Sequence, residues 1–252
     1  MFNDRYGLTQ AVVDLIKTNT RRAEKSLDVL PLDYNPLLTE FQFEYKDGII
    51  IGQRFFKGSH VETYHLKPRY KIGEVVAVAQ RYKDINLTFI PHQDAPDFKK
   101  ITQHARLWGN AKAMAGWTNK MFVRADLMPH RIRITDIKVE RLQDITEDDV
   151  YKEGFSKESV NNGWGNAAWH WEAMLIYYDG LGRTREIRSR KPKEAFSFLI
   201  DSISGKGTWE RNPWVFAYEF NWMASEKIFE KIEKNELDRG KRQNPKEGVP
   251  GI

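Results

Sequence analysis

The spacing of hydrophobic residues changes along the chain, and each change predicts a different element. Apolar residues recur with helical spacing from about Leu8 to Lys17, and again in "KPKEAFSFLIDSISG", where Pro192 suits the first turn of a helix. Apolar and polar residues alternate in "PWVFAYEF" and "RIRITDIKVERL", which predicts strands, the first of them buried on its aromatic face. The alternation in the second strand slips at Thr135–Asp136, which predicts a bulge.

Turn and capping residues divide the remaining pattern. "FQFEY" and "IIIGQRFF" flank "KDG", so this segment is predicted to form a hairpin, and "EAMLIYYDGLGRTREIRSR" is predicted to form another that turns at Asp179–Gly180. In "DITEDDVYKEGF", Thr146 is a suitable N-cap, acidic residues fill the first turn, and Gly154 is a stop signal. A short helix is therefore expected between Thr146 and Gly154.

These predicted elements favour an α+β fold. The strands outnumber the helices, and their spacing suits a small mixed or antiparallel β-barrel with helices at its ends. We expect one domain over residues 1–222, with large insertions at about 28–66, 83–118 and 156–190. A charged amphipathic helix is predicted over 223–238, and a disordered tail over 239–252.

Composition narrows the possible function classes. The chain has 252 residues, of which 40% are hydrophobic and 13% aromatic, so it can bury a substantial core. It contains no cysteine, which excludes disulfides, thiolate metal sites and a cysteine nucleophile, and fits a reducing cytoplasm. We find no apolar run long enough to span a membrane and no signal-peptide pattern at the N-terminus, so a cytoplasmic protein is expected. The net charge of +5 is compatible with a polyanionic partner.

Common catalytic and cofactor motifs are absent from the sequence. There is no phosphate-binding P-loop, no G-x-S-x-G nucleophile motif and no H-E-x-x-H zinc motif. The 6 histidines are scattered, without a cysteine or a tight carboxylate cluster beside them. No metal and no cofactor are therefore predicted.

The segment "LIKTNTRR" concentrates positive charge and hydroxyl groups at the end of the first predicted helix. Lys17 and Arg21 lie one turn apart if the helix continues, and Thr20 and Arg22 are beside them. One interpretation is a basic helix end that complements the helix dipole. The other is a corner that binds an anion or a nucleobase, because guanidinium, ammonium and hydroxyl groups recognise phosphates and base edges.

Glu153 is a second candidate. It ends its predicted helix, where the helix dipole disfavours a negative charge, and burial there would favour its protonated form. Such a carboxyl group suits a general acid or base. The alternative is an ordinary surface glutamate.

Two loops combine tryptophan with polar residues that could read a base. "GKGTWERNPW" carries Lys206, Trp209 and Asn212, and "GWTNK" carries Trp117 and Asn119. Indole rings stack on bases, whereas asparagine and lysine bind base edges and phosphates. The alternative is that the tryptophans cover the core.

Four segments in a fixed order carry a resemblance to a known family. "LIKTNTRR" supplies Lys17, Thr18, Thr20 and Arg22 at the spacing of a Gly-x-Lys-x-x-x-x-Arg signature, with Leu15 in place of the glycine that allows a tight backbone approach. The other segments are "YKIGEVVAVAQRY", "RIRITDIKVERLQDITEDDVYKEGF" and "FSFLIDSISGKGTWERNPWVFAYEF". In this order they resemble the ASCH domain family of the PUA-like superfamily, and especially its longer phage and prophage members.

The resemblance implies a PUA-like barrel with a cleft between barrel and helices. Relatives bind RNA or modified bases, and one small bacterial member is an amidohydrolase that acts on N4-acetylcytidine with a lysine, a threonine and a glutamate. Carried over, this catalytic set is Lys17, Thr20 and Glu153, with Arg22 as the motif arginine.

Three functional hypotheses follow, of which the first is favoured and the second is its main alternative. The first is a module that binds RNA, single-stranded nucleic acid or a modified nucleobase, with Arg21, Arg22 and Lys206 at phosphates and Trp117 or Trp209 stacked on a base. The second is an amidohydrolase for an N4-acylated cytidine-type nucleoside. The third is a phage accessory protein whose insertions bind another protein while the cleft is idle.

Overall fold

The structure is a computed structural model that describes residues 2, 5–32, 39–56, 58–85, 115–161, 169–178 and 183–224. The chain divides into two compact units. The larger combines Met1–Val76 with Ile132–Trp222, and the smaller combines Ala77–Arg131 with Met223–Ile252. None of the helices in these ranges is long and apolar enough to cross a membrane.

Helices and strands alternate irregularly along the described chain. The helices are α1 Leu8–Val13, α2 Glu147–Lys152, α3 Pro192–Ser204 and α4 Thr208–Arg211. The strands are β1 Asn19–Arg22, β2 Thr39–Lys46, β3 Ile49–Phe56, β4 Ser59–Leu66, β5 Val75–Ala77, β6 His130–Arg141, β7 Ser156–Asn161, β8 Trp169–Tyr178, β9 Thr184–Ser189 and β10 Trp214–Ala224.

The described strands form three sheets. A four-stranded sheet has the order β1-β10-β6-β5, with β1 antiparallel to β10. Two antiparallel three-stranded meanders, β2-β3-β4 and β7-β8-β9, fall within the predicted insertions at 28–66 and 156–190. The first meander contains the predicted hairpin, whose turn residues Asp47 and Gly48 both have positive φ, as a tight two-residue hairpin turn requires.

Strand β10 is buried on both faces, although its alternation predicted burial on one. Trp214, Phe216 and Tyr218 are buried as expected, and so are Val215 and Ala217 between them. Packing on each face is the reason, since Val215 lies in a core cluster with Phe196 and Leu199, whereas the Trp214 ring contacts Phe41 and Phe43. The slip predicted in β6 is confirmed, because burial shifts from even positions up to Ile134 to odd positions from Ile137.

The first helix is shorter than its hydrophobic pattern predicted. It ends at Val13 instead of continuing to Lys17, because Leu15 adopts a left-handed backbone conformation with φ of 63°. The N–H groups of Ile16 and Lys17 both donate to the carbonyl of Ala11, at 2.9 Å each, which closes the helix end. The chain then becomes extended and enters β1, so Lys17 and Arg21 do not share a helical face.

The predicted helix around residue 150 is confirmed in its bounds and caps. The hydroxyl of Thr146 accepts a hydrogen bond from the Asp149 N–H at 3.1 Å, and Glu153 is the C-cap of α2. Gly154 ends the helix with φ of 111°. Helix α3 is confirmed likewise, with Pro192 in its first turn and Gly205 after its last residue.

The α+β class is confirmed, and the sheets whose pairing is given above are antiparallel. The described strands form three separate sheets and no closed barrel, so the barrel stays a prediction. Several predicted features lie outside the described residues: the turn at Asp179–Gly180, most of the insertion at 83–118, nearly all of the helix at 223–238, and the tail at 239–252. The single-domain boundary at 1–222 also stays a prediction.

Candidate functional site

A cavity of about 390 Å³ opens in the larger unit, where β1 meets the ends of α1 and α2. Its apolar wall comes mainly from α3 and consists of Phe196, Leu199, Ile200 and Ile203, together with Phe2 and Leu8. Its polar lining consists of Lys17, Thr20, Arg21, Arg22, Glu24, Arg69, Glu153 and Ser204. A volume of this order suits a small organic ligand such as a nucleoside.

Lys17 and Glu153 form a buried ion pair in this cavity. The Lys17 Nζ lies 2.5 Å from the Glu153 Oε2 and also donates to the Glu153 backbone carbonyl at 2.9 Å. Their side chains are only 1% and 6% exposed. The ammonium group therefore lies at the C-terminal end of α2, where the helix dipole favours a cation.

Backbone packing brings these two residues together across more than a hundred positions of sequence. The Thr18 N–H donates to the Lys152 carbonyl at 2.8 Å, which ties the segment after α1 to the end of α2. Gly154 then passes close to α1. A Cβ on Gly154 would lie 3.4 Å from the Cβ of Ala11 and 3.6 Å from that of Lys17. These are ordinary contact distances, so glycine at 154 is required by the positive φ of 111° and not by a lack of space.

Arg21 forms the centre of a second layer of charge. Its guanidinium donates to Glu140 Oε1 at 2.6 Å, to Asp149 Oδ2 at 2.9 Å and to Glu153 Oε1 at 3.2 Å. The Arg21 side chain is only 1% exposed. Glu153 thus accepts from Lys17 on one oxygen and from Arg21 on the other, and the two cations fix the orientation of its carboxylate.

Burial and charge act in opposite directions on the ionisable groups of this network. Burial lowers the pKa of Lys17, and it outweighs the attraction of Glu153, which acts to raise it. Burial also raises the pKa of Glu140, despite the nearby guanidinium of Arg21. For Asp149, burial acts to raise the pKa, but the ion pair with Arg21 and the hydrogen bond with Thr146 prevail and lower it.

The structure brings four of the residues named by the family resemblance into one cavity. Lys17, Thr20, Arg22 and Glu153 all line it, and the Thr20 side chain is partly exposed there. Arg22 lies with its guanidinium carbon 6.0 Å from the centre of the Phe2 ring. Arg21, predicted to contact a phosphate, lines the cavity too, but its guanidinium is held by three carboxylates.

The residues predicted in the "GKGTWERNPW" loop are not part of this lining. Lys206 is exposed in the turn before α4. Trp209 packs on the core, with its ring centre 6.1 Å from that of Phe196. Asn212 has φ of 45°, and its Oδ1 accepts a hydrogen bond from the Gln143 N–H at 2.8 Å. The geometry thus gives Trp209 and Asn212 structural contacts, and their predicted ligand contacts stay predictions.

Trp117 and Asn119 belong to the smaller unit. Trp117 packs against a core cluster that contains Tyr82 and Leu127. The Oδ1 of Asn119 accepts a hydrogen bond from the Met121 N–H at 2.9 Å, which stabilises the local turn. Their predicted role in stacking and base reading stays a prediction.

Sequence reasoning missed several residues that shape the cavity. Two of them hold Arg21. In the sequence, Glu140 was only a polar position of a predicted strand, and Asp149 was only one of the acidic residues that suit the first turn of a helix. Arg69 and Glu24 occur in no motif, and the apolar stripe of α3 read only as core. A signal existed for Asp149 alone, since acidic residues in the first turn of a short helix lie near whatever contacts that helix.

No protein-family model, curated protein or solved structure matches this chain. Membership of the ASCH family therefore stays a prediction from the four sequence segments. Among the described residues, no group of three or more His, Asp and Glu side chains is placed to hold a metal ion.

Proposed function

We propose that the chain is an ASCH-type amidohydrolase that removes the acyl group from an N4-acylated cytidine-type nucleoside. One observation carries this function: the buried Lys17–Glu153 pair, 2.5 Å apart, lines the same cavity as Thr20. A base, an acid and a hydroxyl nucleophile are the groups that amide hydrolysis needs. The substrate class comes from the family resemblance, and the cavity volume of about 390 Å³ accommodates it.

The electrostatics of Lys17 support its role as a base. An exposed lysine is protonated at neutral pH and cannot accept a proton. Burial of Lys17 lowers its pKa despite the opposing effect of Glu153. In the proposed scheme the Lys17 ammonium passes a proton to the Glu153 carboxylate across this contact, so that Lys17 can act as the base and Glu153 as the acid.

The reaction can then proceed in two balanced steps. In the first, the Thr20 Oγ1 attacks the acyl carbon, its proton passes to the Lys17 Nζ, and the bond from acyl carbon to N4 breaks as Glu153 gives its proton to N4. This step releases the free amine and leaves an acyl ester on Thr20. In the second, a water attacks the ester carbon and gives a proton to the Glu153 carboxylate, the bond from the acyl carbon to the Thr20 Oγ1 breaks as Oγ1 takes a proton from the Lys17 ammonium, and a carboxylic acid leaves.

Arg21 and the apolar wall have supporting roles in this scheme. Arg21 holds one Glu153 oxygen at 3.2 Å, which leaves the other for the proton that Lys17 gives up. The α3 side chains Phe196, Leu199 and Ile200 give the pyrimidine ring an apolar surface. The tryptophans predicted to stack a base do not line this cavity.

The test is hydrolysis of N4-acetylcytidine, followed by chromatography of the cytidine formed. Wild type is expected to turn over, whereas Lys17→Met, Thr20→Val and Glu153→Gln are each expected to lose at least about 100-fold in kcat. The matched controls are Lys25→Met, Thr135→Val and Glu158→Gln, which change exposed residues of the same types outside the cavity. No turnover by a folded wild type, or full turnover by folded Lys17→Met, would refute the mechanism.

Binding without hydrolysis is the second candidate, and the arginines of the cavity favour it. Arg22 and Arg69 line the pocket beside Lys17, so a nucleobase or a single-stranded nucleic acid could bind there through its phosphates. Fluorescence anisotropy with single-stranded RNA and DNA at low salt tests this function. Saturable binding that weakens with salt, without turnover, would support it, and no binding at any salt concentration would reject it.

A further inference from the structure

We infer that the cavity takes its ligand with a phosphate attached, and that Arg69 binds this phosphate. The inference deepens the function proposed above and rests on it for the nucleoside part of the ligand. It concerns two residues of the lining, the half-buried Glu24 and the exposed Arg69, which the hydrolytic scheme leaves without a role.

The backbone of Arg69 is fixed by two hydrogen bonds. Its N–H donates to the Glu24 Oε2 and to the Tyr218 hydroxyl, at 3.0 Å each. The Tyr218 hydroxyl in turn donates to the Glu24 Oε1 at 2.9 Å. Because Tyr218 is fully buried in the central strand β10, this cluster anchors Arg69 to the sheet.

The guanidinium of Arg69 lies close to an aromatic ring. Its carbon lies 5.9 Å from the centre of the Tyr70 ring, and that ring makes an edge contact with Tyr218 at 5.4 Å. No ion pair joins this guanidinium to a carboxylate anywhere in the described part of the chain. Both Glu24 oxygens accept hydrogen bonds from other groups, namely the Tyr218 hydroxyl and the Arg69 backbone N–H.

The charge of the lining favours an anion beside Arg69. Four basic side chains and two acidic ones line it. Lys17 and Arg21 are paired with Glu153, Glu140 and Asp149, whereas Arg69 is exposed and forms no ion pair with a carboxylate of the described residues. A planar guanidinium with a fixed backbone is the group best suited to bidentate recognition of phosphate.

A nucleotide fits this division of the cavity. The base would reach Lys17 and Glu153 beside the apolar wall of α3, and the phosphate on its ribose would reach Arg69. A free nucleoside monophosphate and a nucleotide within an RNA strand share this chemistry, since both carry a phosphate on the ribose.

The test is equilibrium binding by calorimetry, with cytidine and cytidine 5′-monophosphate as probes. Wild type is expected to bind the monophosphate about 10- to 100-fold more tightly than cytidine, the range given by a charge-assisted hydrogen bond. Arg69→Met is expected to lose that preference and to keep its affinity for cytidine, and Arg69→Lys to retain part of it. The matched control, Arg211→Met, removes an exposed arginine outside the cavity and should change neither affinity.

A third probe, the trinucleotide ApCpA, separates the two sources of phosphate. Tighter binding of the monophosphate would assign a free nucleotide, and tighter binding of the trinucleotide, lost in Arg69→Met, would assign an RNA strand. Equal affinity of wild type for all three probes, or an unchanged preference in Arg69→Met, would overturn the inference. Binding is measured without turnover, so the two proposals can fail separately. An Arg69-dependent preference for the monophosphate without hydrolysis would refute only the hydrolytic function. Hydrolysis without that preference would refute only the phosphate site.

Discussion

Removing the ammonium group of Lys17 would leave the Glu153 carboxylate buried with one partner fewer. The Lys17→Met substitution keeps the length and apolar stem of the side chain, so it changes mainly the charge. Glu153 is 6% exposed and would still accept from Arg21 at 3.2 Å. The reverse substitution, Glu153→Gln, would leave an ammonium group that is 1% exposed and has lost its carboxylate partner.

The structure sets the expected size of each effect. Breaking a buried ion pair by removing one partner costs about 3–5 kcal/mol of the free energy of unfolding. Lys17→Met should fall at the lower end, because Arg21 still compensates Glu153. The double variant should lose less than the sum of the single variants, which gives a coupling energy of about 2–3 kcal/mol.

Urea unfolding of the two single variants, the double variant and wild type at pH 7 measures this coupling energy. The matched control is the Lys152–Glu219 pair, which joins the neighbouring lysine to a carboxylate at 3.5 Å with 47% of the lysine side chain exposed. Its cycle, from Lys152→Met and Glu219→Gln, should give about 0–1 kcal/mol. A coupling energy for Lys17 and Glu153 no larger than this control would refute a buried, energetically coupled pair.

The pH dependence of Glu153→Gln gives an independent check with a defined sign. Burial lowers the pKa of Lys17 in the folded state below its ordinary 10.5. At a pH between the lowered pKa of folded Lys17 and its ordinary pKa in the unfolded chain, the unfolded chain binds a proton that the folded chain does not. The free energy of unfolding therefore rises with pH in this range. Loss of Glu153 removes an effect that raises the Lys17 pKa, so the rise should begin at a lower pH in the variant than in wild type. The same onset in both proteins, measured by urea unfolding between pH 6 and 9, would contradict this.

Three further predictions concern residues around the site. Leu15→Gly should stabilise the fold by up to about 1 kcal/mol in urea unfolding, because Leu15 is 59% exposed and has φ of 63°. The control Ile16→Gly, at an exposed position without positive φ, should destabilise the fold by a similar amount. A loss of stability in Leu15→Gly would contradict backbone strain at Leu15. Arg21→Met should destabilise by about 3–5 kcal/mol at pH 7. The ion pair with Arg21 helps to lower the pKa of Asp149 against the effect of burial, so the stabilisation by this pair is present above the ordinary pKa of 3.8 and is lost as pH falls through the folded pKa. The loss of stability in Arg21→Met should therefore be smaller in urea unfolding at pH 3 than at pH 7. An equal loss at both pH values would count against the ion pairs. Gly154→Ala should cost about as much as Gly73→Ala, because both glycines have positive φ and a Cβ at 154 would make only ordinary contacts, the nearest at 3.4 Å from Ala11. A much larger loss at 154 would contradict this.

Local physics made much of the secondary structure predictable. The N-cap at Thr146, the stop at Gly154 and the proline in the first turn of α3 act within one turn of helix, so a few neighbouring residues specify them. The hairpin turn at Asp47–Gly48 is local for the same reason. The first helix was the exception: its hydrophobic spacing continues past Val13, but the backbone does not, because packing of the next segment against α2 and β10 favours an extended chain.

The family signature predicted which residues belong to the site, but not how they contact one another. Lys17, Thr20 and Glu153 could be named from the sequence, but not that Arg21 would hold Glu153 instead of meeting a ligand. That outcome depends on Glu140 and Asp149, which come from a different strand and helix and meet Arg21 only after the sheet has formed.

The sequence by itself determined most of the helices and strands, their caps and the residue types available for chemistry, because these depend on neighbours within a few positions. The tertiary structure alone decided which charges are buried, which carboxylate pairs with which cation, and that Arg69 faces the cavity without a carboxylate partner among the described residues. The physical reason is that burial and charge pairing depend on contacts between residues more than a hundred positions apart, and no local pattern encodes them.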